Sequence, residues 1–370
     1  MRVEPLNIRR KLALEIARYL EKQQIKEHPL RQLFWECTLR CNLNCRHCGS
    51  DCKKTAGTKD MPLEDFLRVL DSVAKKTDPH RVIVVVTGGE PLMRKDLEEC
   101  GREIYRRGFP WGMVTNGLFM TRERLDALMA SGLHSATVSL DGFATDHNWM
   151  RGNPHSFDRA VDAIRMMVET PDLVFDVVTC VNKHSLLRLE EMKEFLIKLG
   201  VKRWRLFTIV PMGRASQDEE LQLSNAEFRQ VMEFIRKTRK EGRIRLDYGC
   251  EGFLGNYEGE VRNHFFACQA GVTVGSVLID GSISACSSIR SDFHQGNIYQ
   301  DDFMEVWESR YQPYRDREWM RKGECADCEY FRVEKKTLTA VPSDLAECGM
   351  MRHLLCLSGC GTLSGNGSTY

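Results

Sequence analysis

Short aliphatic runs alternate with longer stretches of helical periodicity through the first two hundred residues, and this alternation limits the fold more than any other feature. The run Arg81-Val-Ile-Val-Val-Val86 has no polar side to turn toward water. As a strand it needs cover on both faces, which a parallel sheet with crossover helices provides. Leu33-Phe34-Trp35, Trp111 to Thr115, residues 134–140, Val174 to Val181 and Arg203 to Val210 read the same way. Between them, residues 62–76 (Leu63, Phe66, Leu67 and Leu70 on one stripe), 94–107, 121–131, 156–169 and 185–199 read as amphipathic helices. Six such units over 31–215 fit an α/β fold of the partial (β/α)6 barrel kind, and a doubly wound sheet fits the pattern equally well. Residues 1–30 hold a further amphipathic helix, with Leu12, Ile16, Tyr19 and Leu20 at helical spacing, which we expect to pack against the barrel.

Parallel sheets bind ligands beyond the carboxyl ends of their strands, so the residues there are informative. After the first strand come Cys37, Cys41, Cys45, Cys48 and Cys52 in a polar stretch that reads as loop. Cys41, Cys45 and Cys48 have the spacing C-x3-C-x2-C. One loop can fold these sulfurs around three corners of a soft metal cluster, leaving a fourth position open, or hold zinc with Cys37, Cys52 or His47 as fourth ligand. After the second strand stand Gly88-Gly89-Glu90-Pro91, where two glycines allow close backbone approach and a carboxylate follows. The third and fourth strands end in Thr115-Asn116-Gly117 and Ser139-Leu140-Asp141-Gly142, sequences that also suit plain turns. Arg151 follows in a stretch read as loop, Asn182 after the fifth strand, and Pro211-Met-Gly213-Arg214 after the sixth. Cys100 and Cys180 fall inside a helix and a strand and read as core residues.

Beyond residue 215 the pattern changes. A helix near 224–240 occupies a linking segment, 216–245, before a glycine- and cysteine-rich region, 246–333. Within it Val272 to Ile283 alternates around Asp280-Gly281, a β-hairpin signal, flanked by Cys268 and Cys286. Cys325-Ala-Asp-Cys328 then supplies a pair that one tight turn can present to a metal.

The chain has 15 cysteines, an odd number, bunched in these two regions, which suits metal ligation in a reducing compartment better than a disulfide framework. The formal charge of +1 gives no footprint for nucleic acid or an anionic membrane. The first residues lack an apolar signal core, and the longest aliphatic run, Val82 to Val86, is too short to span a bilayer. A cytoplasmic location is the expectation.

With the cysteine triplet placed after the first strand and Gly88 to Pro91 after the second, the chain resembles the radical S-adenosylmethionine (SAM) enzymes. The resemblance implies a [4Fe-4S] cluster on Cys41, Cys45 and Cys48, whose open iron is chelated by SAM. It further implies SAM contacts from Gly88, Gly89, Glu90 and Pro91 and, from the following strand ends, Asn116, Ser139, Asp141 and Arg151. In that family electron transfer into bound SAM yields a 5′-deoxyadenosyl radical that takes hydrogen from a substrate carbon. The order Cys268, Gly281-x4-Cys286 and Cys325-x2-Cys328 resembles the SPASM domain of relatives that modify peptides, which holds auxiliary [4Fe-4S] clusters. It implies Cys268, Cys286, Cys325 and Cys328 as auxiliary ligands, with Cys250 and Cys348 as further candidates. The partners implied are a peptide or small protein, a cysteine-rich lipoprotein precursor in the nearest-looking subgroup, and an electron donor such as flavodoxin or ferredoxin. One departure stands out: the SPASM spacing would place cysteines where this chain has Glu334 and Leu338. We therefore expect 334–370 to be a divergent tail that does not complete the auxiliary clusters. The alternative function is a non-catalytic protein whose cysteines staple loops around zinc or iron–sulfur.

Overall fold

Each apolar run is a strand, and seven strands lie parallel in chain order: β1 (Gln32–Thr38), β2 (Ile83–Gly88), β3 (Trp111–Thr115), β4 (Leu133–Ser139), β5 (Val174–Val181), β6 (Arg203–Thr208) and β7 (Arg245–Tyr248). The computed structural model describes residues 8–249, 252, 254–287, 293–321 and 326. The barrel is partial and the sheet open, with β7 at one edge. The helix at 224–240 runs between β6 and β7 as one more crossover, α9 (Asn225–Glu241).

The helices α2 (Leu63–Ala74), α3 (Leu97–Arg106), α4 (Arg122–Ala130), α6 (Ser156–Val168) and α8 (Leu189–Leu199) follow from their stripes. Phe66 of α2 stacks on Trp35 of β1 at 4.3 Å between ring centroids, and both are fully buried. Local signals set the ends. Ser224 and Glu227 close a capping box at the start of α9, and Gly242, at φ 71°, ends it in the left-handed region.

Two expectations fail. The stripe of α1 (Ile8–Glu27) does not pack: Leu12, Ile16, Tyr19 and Leu20 are all more than half exposed, and Leu14 is its buried residue, against Phe266. Periodicity marks a stripe without saying what covers it. Arg151 lies not in a loop but in the last turn of a helix, α5 (Ala144–Arg151), which ends at Gly152. Its sequence hides this because the buried positions include His147 and Arg151 as well as Met150.

The C-terminal region adds to the same sheet. After a short helical turn, α7 (Lys183–Leu186), and the crossovers above, the chain returns as β8 (Val274–Val277), parallel beside β1 with Gln32 opposite Val274. The expected hairpin follows: β9 (Ser282–Ser284) runs back antiparallel through Gly281, at φ 84°, and β10 (Gly296–Asn297) pairs on β9. The Glu36 carboxylate, buried in β1, accepts a hydrogen bond from the Ile279 amide at 3.0 Å and ties the hairpin turn to the carboxyl end of β1. Helix α10 (Phe303–Ser309) seats on α2, where Ser72 donates to Asp302 at 2.8 Å.

Candidate active site

The cysteine loop leaves β1 at Thr38 and is gripped from four sides. The end of β2 runs against it: Gly89 N–H donates to the Thr38 carbonyl at 2.8 Å and Glu90 N–H to the Arg40 carbonyl at 2.9 Å. A side chain cannot fit there, since a Cβ at Gly88 would lie 2.1 Å from the Thr38 oxygen and one at Gly89 2.3 Å from that of Arg40. On the second side, Arg46 N–H donates to Met150 O at 2.9 Å and Asn44 N–H to Arg151 O at 3.3 Å, which hangs the loop on the end of α5. On the third, Cys41 N–H donates to Lys53 O at 2.9 Å and closes the loop on itself.

The segment after β6 is the fourth side and works as a strap. Gly213 sits at φ 56°, where a Cβ would lie 2.5 Å from the Cys48 carbonyl oxygen. Arg214 donates from its backbone to that carbonyl at 3.1 Å, from Nε to Cys45 O at 2.7 Å, and from Nη1 to Asp51 at 2.7 Å and Cys52 O at 3.1 Å. Arg46 reaches the other way to Asp218 at 2.7 Å and Glu220 at 3.0 Å while its guanidinium lies over the Trp149 ring. A groove of about 510 Å³ opens here, lined by Arg46, Asp51, Gly213, Arg214, Ser216 and Asp218.

Inside the loop Cys41, Cys45 and Cys52 are buried, Cys48 is half-buried, and all four are free thiols. Each of the three expected ligand sulfurs has an N–H pointed at it: Asn116 Nδ2 is 3.9 Å from Cys41 Sγ, Arg151 Nη1 is 3.8 Å from Cys45 Sγ, and Cys52 N is 3.4 Å from Cys48 Sγ. Cys52, its thiol first and then its amide N–H, favours the charged form of Cys48 and lowers that thiol to about 5. Cys41 moves the other way, pushed up to about 12 by burial.

The carboxylates of the site are fully engaged by the protein. Glu90, fully buried, accepts from Thr115 Oγ1 at 2.7 Å, Asn116 N at 2.8 Å and Leu92 N at 3.1 Å. It therefore braces the end of β3. Burial raises its pKa while these donors pull against the rise. Asn116 is oriented in turn by Leu118 N–H and by its own bond to Asn42 Oδ1 at 2.8 Å. Asp141 accepts from Arg151 Nε at 2.6 Å and from Cys180 N at 2.9 Å. Burial would raise its pKa, but the adjacent Arg151 overrides this and holds it at about 2. His147 Nδ1 accepts from Asp141 N at 3.0 Å and its Nε2 meets Ser156 Oγ at 2.9 Å, so the ring is neutral, with burial depressing it to about 3.

Other candidates fall differently. Ser139 ends β4 opposite Val178, half-buried. Asn182 caps α7, its Oδ1 accepting from His184 and Ser185 amides. Pro91 starts a short turn beside Glu90. Cys100 is core, as expected, but Cys180 is half-exposed, and its sulfur lies within 4.8 Å of ligand atoms of His47 and Asp141. Strand position alone could not show that Cys180 faces the site. His147, which orients Asp141, carried no sequence signal, being a polar residue in an unrecognised helix.

Cys268 precedes β8 and Cys286 follows β9, which places both toward the amino ends of the parallel strands. Both are half-buried, and Arg317 donates to the Cys268 carbonyl at 3.1 Å. Cys250, Cys325, Cys328 and Cys348 lie outside the described residues.

The donor set can be tested for the group it suits. Among the described residues, the group of three His, Cys, Asp or Glu ligand atoms mutually within 4.8 Å is His47, Asp141 and Cys180; the loop cysteines do not form one. A single tetrahedral zinc draws its sulfurs to about 3.8 Å apart, given bonds of about 2.3 Å. No three of the loop sulfurs lie mutually within 4.8 Å, which does not suit one zinc, and the all-sulfur set with N–H donors suits an iron–sulfur cluster.

Comparison with known proteins agrees with this geometry. Residues 35–196 match the radical SAM superfamily and residues 268–329 match SPASM, an iron–sulfur cluster-binding domain. The chain is 29% identical over 321 residues to an AdoMet-dependent heme synthase of Methanosarcina barkeri, covering 82% of this chain and 89% of that protein. It is 22% identical over 319 residues to the PqqA peptide cyclase of Rhizobium meliloti, covering 83% and 81%. In structure it resembles anSMEcpe, solved with bound AdoMet and the Cp18Cys peptide, with a TM-score of 0.68 over 89% of this chain and 97% of that one at 18% identity.

Proposed function

We propose, from the premise that the chain belongs to the radical SAM superfamily and carries a C-terminal SPASM domain, that it abstracts hydrogen from a peptide or small-protein substrate. Its cofactors are a [4Fe-4S] cluster and SAM, with auxiliary iron–sulfur clusters in the SPASM region. When bound, the cluster would pass one electron from an external donor to the SAM sulfonium, whose C5′–S bond would break to release methionine and supply hydrogen-abstracting chemistry. Cys41, Cys45 and Cys48 would hold the cluster, and the backbone edge at Gly88 and Gly89 with the ends of β3 and β4 would line the SAM position. Arg214 and Arg46 fasten the strap over the loop, which limits access of water. An electron donor such as flavodoxin or ferredoxin completes the scheme.

The observation that carries the peptide reading is the groove beside the cysteine loop. Its walls carry Arg46, Asp51, Arg214 and Asp218, paired as Arg46–Asp218 and Arg214–Asp51, a polar surface of balanced charge open to an extended chain. The likeness to a peptide cyclase supports it. A second reading, a tetrapyrrole substrate, is favoured by the likeness to a heme synthase. Anaerobically reconstituted protein given SAM and dithionite should form 5′-deoxyadenosine. Short cysteine-containing precursor peptides should accelerate this and lose mass, whereas acceleration by an iron porphyrin bearing propionates supports the second reading. A colourless protein with about one zinc per chain refutes both.

A further inference from the structure

The three expected ligand sulfurs are each addressed by one N–H, and the three donors come from unrelated parts of the fold. Asn116 stands at the end of β3, Arg151 at the end of α5, and the Cys52 amide in the cysteine loop itself. None is free to wander. Asn116 is held by Leu118 and Asn42, Arg151 by Asp141, and Cys52 is buried with its thiol against the Cys48 sulfur. Three residues thus supply donors for three sulfurs, with Leu118, Asn42 and Asp141 serving only through Asn116 and Arg151.

A reduced iron–sulfur cluster carries one more negative charge than the oxidised one, so donors and cations at its thiolates stabilise the reduced form and raise the potential. Arg151 brings a full positive charge, partly offset by Asp141; Asn116 brings a dipole; Cys52 adds an S–H to its backbone N–H. We propose that Asn116, Arg151 and Cys52 are positioning residues that set the reduction potential of the SAM cluster through the sulfurs of Cys41, Cys45 and Cys48. This rests on those cysteines holding the cluster. It differs from a role for Asn116 and Arg151 in binding SAM, because it acts when SAM is absent.

The test is a potentiometric titration of the reconstituted, SAM-free protein, followed by electron paramagnetic resonance of the reduced cluster, with iron and sulfide counted for each variant. Arg151→Lys keeps a cation for Asp141 but withdraws the planar fork from Cys45. Asn116→Ala removes the donor to Cys41. Cys52→Ala removes the thiol while leaving the backbone N–H. All three should titrate at more negative potentials than the parent, with Cys52→Ala shifted least. Iron-retaining variants that titrate at the parent's potential or above it, with weaker SAM binding as their sole defect, overturn the proposal. If one of Arg151→Lys and Asn116→Ala takes up no iron, the other decides: a negative shift supports the proposal and an unchanged potential refutes it. A parent protein that takes up no iron refutes the cluster reading itself, a separate outcome.

Discussion

The two cysteine regions beside β1 are built in opposite ways. The early loop receives the ends of β2 and β3, the end of α5 and the strap after β6, so its shape is fixed by the whole sheet. Cys268 and Cys286 flank a hairpin at the other end of the strands and pack on the margin of the main core, Cys268 also on the small Leu14–Phe266 cluster and against Arg317. Chemistry that depends on ångström placement sits where many elements converge, and the appended region attaches along one edge. Replacing Cys41, Cys45 and Cys48 together with alanine should abolish 5′-deoxyadenosine formation. Replacing Cys268 and Cys286 should leave SAM cleavage in place and lower the iron count by about four per cluster lost. An unchanged count would remove these two cysteines from the ligand set.

The convergence also predicts where the backbone tolerates no side chain. Gly88→Ala places a Cβ 2.1 Å from the Thr38 oxygen at φ 137°. It should cost about 2–4 kcal/mol in urea denaturation and reduce iron retention. Gly57→Ala, in the connection between β1 and α2 with nothing within 4 Å of the added carbon, should change stability by less than about 0.5 kcal/mol. Equal costs at the two positions would mean that the loop yields to β2 rather than being gripped by it.

The support beneath the early site should respond to pH. His147 is buried and neutral with its pKa near 3, against about 6.5 in an unfolded chain. Between those values the unfolded state binds a proton that the folded state does not, so stability falls as pH falls below about 6.5. The slope from this one ring is up to about 1.4 kcal/mol per pH unit. Denaturation of the metal-free protein at pH 7 and pH 5.5 should show it, and His147→Gln should reduce it to the part left by His47, which burial depresses to about 4. An unchanged slope in the variant would place the titration elsewhere.

How far the sequence reached follows from what each signal measures. The strands were legible as short apolar runs; in β2 one face, Val84 and Val86, is fully buried and the other, Ile83 and Val85, half-buried. The cysteine triplet was legible because three ligands sit within one short loop. The fourfold grip was not, since Asn116, Arg151 and Arg214 meet the loop across separations of up to 169 residues. Glu90, expected at the ligand, braces Thr115 and Asn116, a use visible only when strands are paired. Helix α5 was missed because a buried His147 and Arg151 erase the apolar stripe that marks a helix.

The exposed stripe of α1 gives the smallest and most discriminating test. Leu14, 9% exposed, packs on Phe266 with Phe265 and Cys268 alongside, whereas Leu12 is 64% exposed. Leu→Ala in a large core removes about 2–5 kcal/mol, but this satellite cluster offers few atoms to lose contact with. Leu14→Ala should therefore cost about 1 kcal/mol, and Leu12→Ala less than about 0.5 kcal/mol. If the late cysteines rest on this cluster, hydrogen exchange across 265–268 should quicken in Leu14→Ala while SAM cleavage is retained. Equal exchange in both variants would mean that Cys268 is held by the main core and Arg317 rather than by this cluster.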